Sequence, residues 1–163
     1  MKITLLNKQQ IEKKLNRIAF QIVEQHIDSK AIALVGIAEA GLVIANKLAD
    51  LLKTITTIEV QVIALRMDKK QPLNKEIELS ASIQNQPIIL VDDVCNSGKT
   101  LAYALIPLLK AAPSSIKIAV LVERKHTAFP IAPDFVGLSV ATTLQDHIIV
   151  ETTNNELIQA YLQ

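Results

Sequence analysis

The run Ile88-Ile89-Leu90-Val91-Asp92-Asp93-Val94-Cys95-Asn96-Ser97-Gly98-Lys99-Thr100 gathers the residue types in this chain that could do chemistry. Four apolar residues suit a buried strand, and two adjacent carboxylates follow where such a strand would emerge. A short loop with Ser97, Gly98 and Thr100 then leads into a helical pattern. A phosphate placed in that loop meets free backbone N–H groups, hydroxyl donors and the positive end of the helix. Gly98 lets the backbone approach such a phosphate closely, which a Cβ would obstruct. Asp92 and Asp93 cannot serve the phosphate, because like charges repel. They suit vicinal hydroxyls, which donate hydrogen bonds to carboxylates, or a Mg2+ ion held directly or through water. A phosphate on one side and a diol on the other describe a ribose 5-phosphate.

Rival readings of the same run explain less of it. Gly98-Lys99-Thr100 ends like a P-loop, but that motif needs a glycine five residues before Gly98, where Asp93 stands. A receiver-type acidic pocket would use Asp92 and Asp93 and leave the Asn-Ser-Gly-Lys-Thr loop without a purpose. A purely structural reading has Asp92 capping the turn that Gly98 closes, which leaves the full pattern unexplained. Cys95 has no neighbouring base in the sequence to make it a nucleophile. His26, His126 and His147 lack metal-ligand spacing, and Phe135 reads as a core aromatic.

The elements around this run must hold it in place. The apolar positions Ile11, Leu15, Ile18, Ala19, Ile22 and Val23 recur at helical spacing and predict an amphipathic helix over 8–26. Lys8, Lys13, Lys14, Arg17 and Lys30 mark its solvated side. Ala31 to Val35 reads as a strand buried on both faces and ending at Gly36. A turn over 37–41 leads to a helix over 42–52, and a second strand is expected over 58–65. The polar, irregular stretch 66–86 reads as a long loop with a brief strand at 76–79, and loops of that length are usually functional. A helix is expected over 100–111, with Pro107 kinking it or opening a new turn. Strands are expected over 116–122, 135–140 and 147–150, with a terminal helix over 155–162. Strands alternating with helices imply βαβ units and an α/β fold with a mainly parallel sheet. Ligands of such sheets sit beyond the carboxyl ends of the strands, here the turns after Val35, Val91 and Val122.

Composition narrows the class. The chain has 163 residues, enough for one domain over residues 1–163 with a sizeable core. Half the residues are hydrophobic and only 3% are aromatic, so the core must be aliphatic. The longest mostly apolar stretch, 31–45, is broken by Glu39 and is too short to span a membrane. The N-terminus lacks the apolar core of a signal peptide. The single cysteine, Cys95, agrees with a reducing compartment. A cytoplasmic protein with no membrane partner is expected. With a net charge of +1 and Lys and Arg spread along the chain, an RNA partner gains no support from charge.

The run from Ile88 to Thr100 resembles the ribose-phosphate signature of type I phosphoribosyltransferases. The chain is similar to one branch of them, the bifunctional pyrimidine-operon attenuator and uracil phosphoribosyltransferase proteins. That similarity extends over Leu15-Asn16-Arg17-Ile18-Ala19, Leu34-Val35-Gly36-Ile37, Ala119 to His126 and Pro130 to Gly137. It implies a type I phosphoribosyltransferase fold, in which a central mainly parallel sheet is flanked by helices and carries a small hood. By resemblance, Asp92 and Asp93 hold the ribose hydroxyls and the Mg2+ ion, with one of them acting in catalysis. Val94, Cys95, Asn96, Ser97, Gly98, Lys99 and Thr100 line the 5-phosphate site. The turn Ile37-Ala38-Glu39-Ala40-Gly41 faces the pyrophosphate, and Arg66, expected with Asp92 and Asp93 among the catalytic residues, opens the mobile loop that closes over the reacting centre. Glu123 and Arg124 lie at the edge of the site, and the hood around Thr142, Thr143 and Leu144 contacts the base.

The implied reaction displaces pyrophosphate from 5-phosphoribosyl-1-diphosphate by a nitrogen of uracil or another nucleobase. The family also implies a homodimer or higher oligomer. Three departures distinguish this chain from the branch. Ala40 stands where the pyrophosphate turn usually carries a basic residue, with Glu39 beside it. Arg66-Met67-Asp68-Lys69 replaces a Tyr-Arg-Asp-Asp run in a shorter loop, where Arg66, Lys69 or Lys70 could supply positive charge. Thr142-Thr143-Leu144-Gln145-Asp146 replaces Thr-Ser-Arg-Ser-Glu in the hood. These departures keep a second reading open: a catalytically reduced sensor of the ribosyl diphosphate or a nucleotide that regulates pyrimidine genes by binding RNA.

Overall fold

In the computed structural model, which describes residues 1–143 and 146–163, the apolar runs become the innermost strands. The chain runs β1 (Ile3–Asn7), α1 (Lys8–Gln25), β2 (Ala31–Ile37), α2 (Ala40–Ile55), β3 (Glu59–Arg66), β4 (Glu78–Leu79), β5 (Ile88–Cys95), α3 (Lys99–Lys110), β6 (Ile116–Arg124), β7 (Phe135–Val140), β8 (Ile148–Thr153) and β9 (Glu156–Leu162). Ile32 to Val35 and Ile88 to Val91 are wholly shielded from solvent, as expected of strands covered on both faces. They belong to a six-stranded sheet of order β4-β3-β2-β5-β6-β7. Every pair in it is parallel except β3 with the short β4.

Two apolar layers hold the helices on this sheet. Ile89 and Val91 pack with Ile18 and Ile22 of α1 and with Ile44 and Leu48 of α2. Ile88 and Leu90 pack with Leu101, Ala104 and Leu108 of α3. Helix α1 starts at a reciprocal cap: Asn7 Oδ1 accepts the Gln10 N–H and Gln10 Oε1 accepts the Asn7 N–H, both at 2.9 Å. Its buried residues are Ile11, Leu15, Ile18, Ala19 and Ile22, the face expected from the spacing. Helix α3 continues through Pro107 to Lys110.

A second sheet, β1-β9-β8, is antiparallel and joins the two ends of the chain. It corrects the expected terminal helix over 155–162. Leu157 and Ala160, the buried positions of that segment, lie three residues apart and so mimic a helical stripe. Hydrogen bonding to β1 on one side and β8 on the other overrides that local pattern. Asn154 and Asn155, with φ of 50° and 61°, form the two-residue turn between β8 and β9, the conformation that favours asparagine in tight hairpins. Strand β1 was not among the expected elements; its partners lie at the far end of the chain. The expected helix over 42–52 begins earlier, at Ala40, which shortens the turn before it. The strand expected over 147–150 runs on to Thr153.

The topology creates one opening. From β2 the chain crosses to β3 on one side, whereas from β5 it crosses through α3 to β6 on the other. The carboxyl ends of β2 and β5 therefore flank a switch point, where open α/β sheets bind ligands. Pairing of β2 with β5 ends at Gly36 and Val91, so Asp92 and the residues after it lose their neighbour on that edge.

Candidate functional site

Strand β5 is longer than expected. Asp92 and Asp93 do not follow the strand but lie within it, because Asp92, Val94 and Cys95 stay in register with Val120, Val122 and Glu123 of β6. The strand is thus held on one edge and open on the other, and the carboxylates sit where the open edge begins. Asp92 is 2% exposed, while Asp93 and Val94 are half-buried and Cys95 is buried. Asp92 Oδ1 accepts the Asp93 N–H and Asp93 Oδ1 accepts the Val94 N–H, both at 2.9 Å. Burial, reinforced by the neighbouring Asp93 carboxylate, pushes the Asp92 carboxyl well above the usual carboxylate range. Lys69, whose Nζ lies 3.8 Å from Asp92 Oδ1, opposes that shift.

A carboxyl that binds its proton more tightly in the folded chain than in the unfolded one loses stability with rising pH. The loss begins at the ordinary carboxylate value and runs through the raised one. Asp92→Asn, uncharged throughout, is expected to melt about 2–4 °C above the parent at pH 7, the shift of about 1 kcal/mol in a domain of this size. The advantage should vanish below about pH 4, where both forms of the parent are protonated, and melting curves at the two pH values check it.

The loop after β5 is built to open the end of α3. Gly98 is its N-cap with φ 82° and has no side chain of its own to cap the helix, a helix start that suits an external anion. Ser97 Oγ accepts the Lys99 N–H at 3.2 Å. From below, the Ser97 carbonyl accepts N–H groups of Ala128 and Phe129 at 2.9 and 3.0 Å. Asn96 Oδ1 is buried without a hydrogen-bond partner among the described residues. A cleft of about 70 Å³ is lined by Val94 to Leu101. Ala128 and Phe129 support this loop, and the sequence carried no signal for them because their role lies in backbone groups.

Cys95 lies beneath the loop. Burial first, then Glu123 and Asp92, push its thiol up to about 11. With so little thiolate at pH 8, alkylation of the native chain by iodoacetamide should run about a hundredfold slower than for an exposed cysteine. Urea should restore the ordinary rate.

The other expected residues arrive from neighbouring strands. Ile37 ends β2, Ala38 and Glu39 form the turn, and Ala40 and Gly41 open α2. Gly41 lies against β5, where an added Cβ would stand 2.6 Å from the Val91 carbonyl oxygen and 3.2 Å from Asp92 Oδ1. Arg66 ends β3, and its Nη1 donates to Glu39 Oε1 at 3.0 Å. The following loop leans over the opening: Lys69 reaches Asp92, and Lys99 Nζ donates to the Lys70 carbonyl at 3.4 Å. Asp68 Oδ1 stiffens this loop by accepting the N–H groups of Lys70 and Gln71, both at 3.0 Å.

Glu123 and Arg124 end β6. Glu123 accepts the Ser139 hydroxyl at 2.9 Å, and Arg124 Nη2 donates to the Thr143 carbonyl at 2.6 Å. Thr143 is further tied to Asp146 through its N–H and hydroxyl, while Thr142 Oγ1 is buried without a partner among the described residues. Leu144, also expected at the hood, and Gln145 lie outside the described residues. Pairwise contacts thus bring 92–100, 37–41 and 66–70 next to one another: Gly41 against Asp92, Arg66 against Glu39, and Lys69 against Asp92. Glu123 stands across the β5–β6 pair from Cys95, and Arg124 tethers the Thr143 segment at the rim.

Among the described residues, no group of three or more His, Cys, Asp or Glu forms a metal cage. The adjacent carboxylates of Asp92 and Asp93 are hard oxygen donors. They fit Mg2+, which is commonly held by one or two carboxylates together with substrate phosphates.

A carboxylate pair and an open helix N-terminus at the switch point of a parallel sheet are features of the phosphoribosyltransferase class. The chain belongs to the phosphoribosyl transferase domain family, whose profile matches residues 3–155. More particularly, it is similar to the bifunctional protein PyrR of Clostridium novyi, 36% identical with 91% of this chain and 89% of the relative covered. The bifunctional protein PyrR of Bacillus subtilis is 33% identical, with 98% and 97% covered. Among solved structures, the hypoxanthine phosphoribosyltransferase of Trypanosoma cruzi shares the fold, with a TM-score of 0.79 at 14% identity over 96% of this chain and 95% of that one. The protein is a phosphoribosyltransferase, and the expected α/β fold of that class is the one observed. Among the described residues, no helix is long and apolar enough to cross a membrane.

Proposed function

We propose that this chain, acting as one domain, binds 5-phosphoribosyl-1-diphosphate with Mg2+ and transfers the phosphoribosyl group to a nucleobase, releasing pyrophosphate. The observation that carries the reading is the meeting of the Asp92–Asp93 pair with the open N-terminus of α3. Asp92 and Asp93 accept hydrogen bonds from the ribose hydroxyls. Residues Asn96 to Thr100 receive the 5-phosphate at the helix end. The turn Ile37 to Gly41 faces the diphosphate, and Arg66 brings a cation to it. A base nitrogen forms the new bond to C1 as the bond from C1 to the diphosphate oxygen breaks. Mg2+ would be held by Asp92 and Asp93, and when bound it neutralises charge on the leaving diphosphate. Closure of the 66–70 loop keeps water from C1. Glu123, Arg124, Thr142 and Thr143 border the base, with uracil the first candidate. Such a protein works in the cytoplasm as a homodimer or larger oligomer.

The experiment is pyrophosphate release with the diphosphate, Mg2+ and, separately, uracil, hypoxanthine, guanine, xanthine and adenine. Release with one base supports the transferase and identifies its acceptor. Similarity to proteins named bifunctional leaves room for a second activity, and the second reading is a sensor of the diphosphate or a nucleotide that regulates pyrimidine genes by binding RNA. Silence across the panel with tight calorimetric binding of the diphosphate supports that sensor. Silence without binding removes both.

A further inference from the structure

Strands β2 and β3 run parallel and end together, with Ile37 paired to Leu65 and the Ala38 N–H donating to the Leu65 carbonyl at 2.9 Å. Arg66, one residue on and still opposite Glu78 of β4, therefore stands beside the 37–41 turn and meets Glu39 at 3.0 Å. Glu39 is the N-cap of α2, yet its side chain makes no capping bond. A carboxylate at that position is ordinarily drawn to the orphan N–H groups and the positive end of the helix. Here it is directed to the guanidinium instead. The first turn of α2 carries no acidic residue, so the helix end keeps no counter-anion of its own.

The turn from Ile37 to Gly41 contains no basic residue. Unpaired, Glu39 would set a negative charge against an incoming polyanion. Paired, that charge is cancelled, and a guanidinium with five N–H donors is fixed beside the open helix end. Glu39 occupies one side of the fork and leaves the remaining donors for another anion.

We propose that Glu39 is a positioning residue that holds Arg66 at the turn, so that the guanidinium binds the diphosphate end of the substrate. This role rests on the function proposed above. It predicts a sign opposite to that of simple repulsion: removing the negative charge weakens binding of a polyanion.

The test titrates 5-phosphoribosyl-1-diphosphate with Mg2+ calorimetrically into the full chain, Glu39→Gln, Arg66→Gln and the double variant. Unfolding midpoints and KM are measured alongside. Glu39→Gln should weaken binding about three- to fivefold, the scale on which an exposed ion pair orders its partner. Arg66→Gln should cost about tenfold or more, the loss of a charge-assisted contact. The double variant should bind no worse than Arg66→Gln alone, because Glu39 acts only through Arg66. KM should rise in step with these losses of affinity, and the midpoints should not move. Binding by Glu39→Gln as tight as the parent's or tighter overturns the role, as do losses that multiply in the double variant. A parent chain that fails to bind the diphosphate at all overturns the proposed function and takes this role with it.

Discussion

Asp93→Asn should lower diphosphate-dependent pyrophosphate release about a hundredfold, the upper range for loss of a hydrogen bond to a charged group. The substitution keeps the shape of the side chain and an oxygen able to accept the Val94 N–H, now taken by Asp93 Oδ1 at 2.9 Å. It removes the negative charge where ribose hydroxyls and Mg2+ would meet the protein. Asp93 is half-buried, so water screens that charge less than at a surface site. The variant should unfold close to the parent's midpoint, because the local backbone bond survives. Pyrophosphate release measured beside a melting curve separates the two effects. Turnover at the parental rate would remove Asp93 from the chemistry. An equal fall in turnover and stability would give it a structural role instead.

Gly41→Ala should cost about 2 kcal/mol of stability and weaken diphosphate binding together. Inside a helix, alanine is ordinarily favoured over glycine by about 1 kcal/mol. Here the added carbon would stand 2.6 Å from the Val91 carbonyl oxygen and 3.0 Å from the Asp92 Cα. Both are backbone atoms of the buried β5, which cannot rotate aside. Overpacking of this kind costs about 1–3 kcal/mol and sometimes more, so the clash outweighs the gain in propensity. Helix α2 must lift from β5, and the turn that precedes it moves away from the carboxylates. Urea unfolding reads the first effect and calorimetry with the diphosphate the second. Gly137→Ala is the control: its added carbon would meet the Leu121 carbonyl oxygen at 2.4 Å, on strands away from the 37–41 turn. It should destabilise the fold while its folded fraction binds the diphosphate normally. Equal affinity in the two variants would disconnect Gly41 from the site.

The parts that could be read without the structure were those whose physics is local. The continuous runs at Ala31 to Val35 and Ile88 to Val91 are buried strands because nothing in them can face water. Helix α1 shows its apolar stripe within its own residues. The β8–β9 hairpin had a local signal too, the Asn154-Asn155 pair, but the helix-like spacing of Leu157 and Ala160 competed with it. Strand β1 offered five residues whose partner lies at the other end of the chain, a pairing no local pattern contains.

In the candidate site, the residue types and order from Asp92 to Thr100 carry the proposed chemistry: carboxylates suit hydroxyls or Mg2+, and a helix start with glycine at its N-cap suits a phosphate. That assignment needs only charge and hydrogen-bonding capacity, which belong to each side chain wherever it lies. The tertiary structure decided how those groups meet. It held β5 in register with β6 past the carboxylates, ended the β2 pairing at Val91, and raised Asp92 by burial. It also set Arg66 against Glu39 and Lys69 against Asp92. Each of these depends on which strands are neighbours and where their pairing stops, and distances between remote residues arise only when the chain packs.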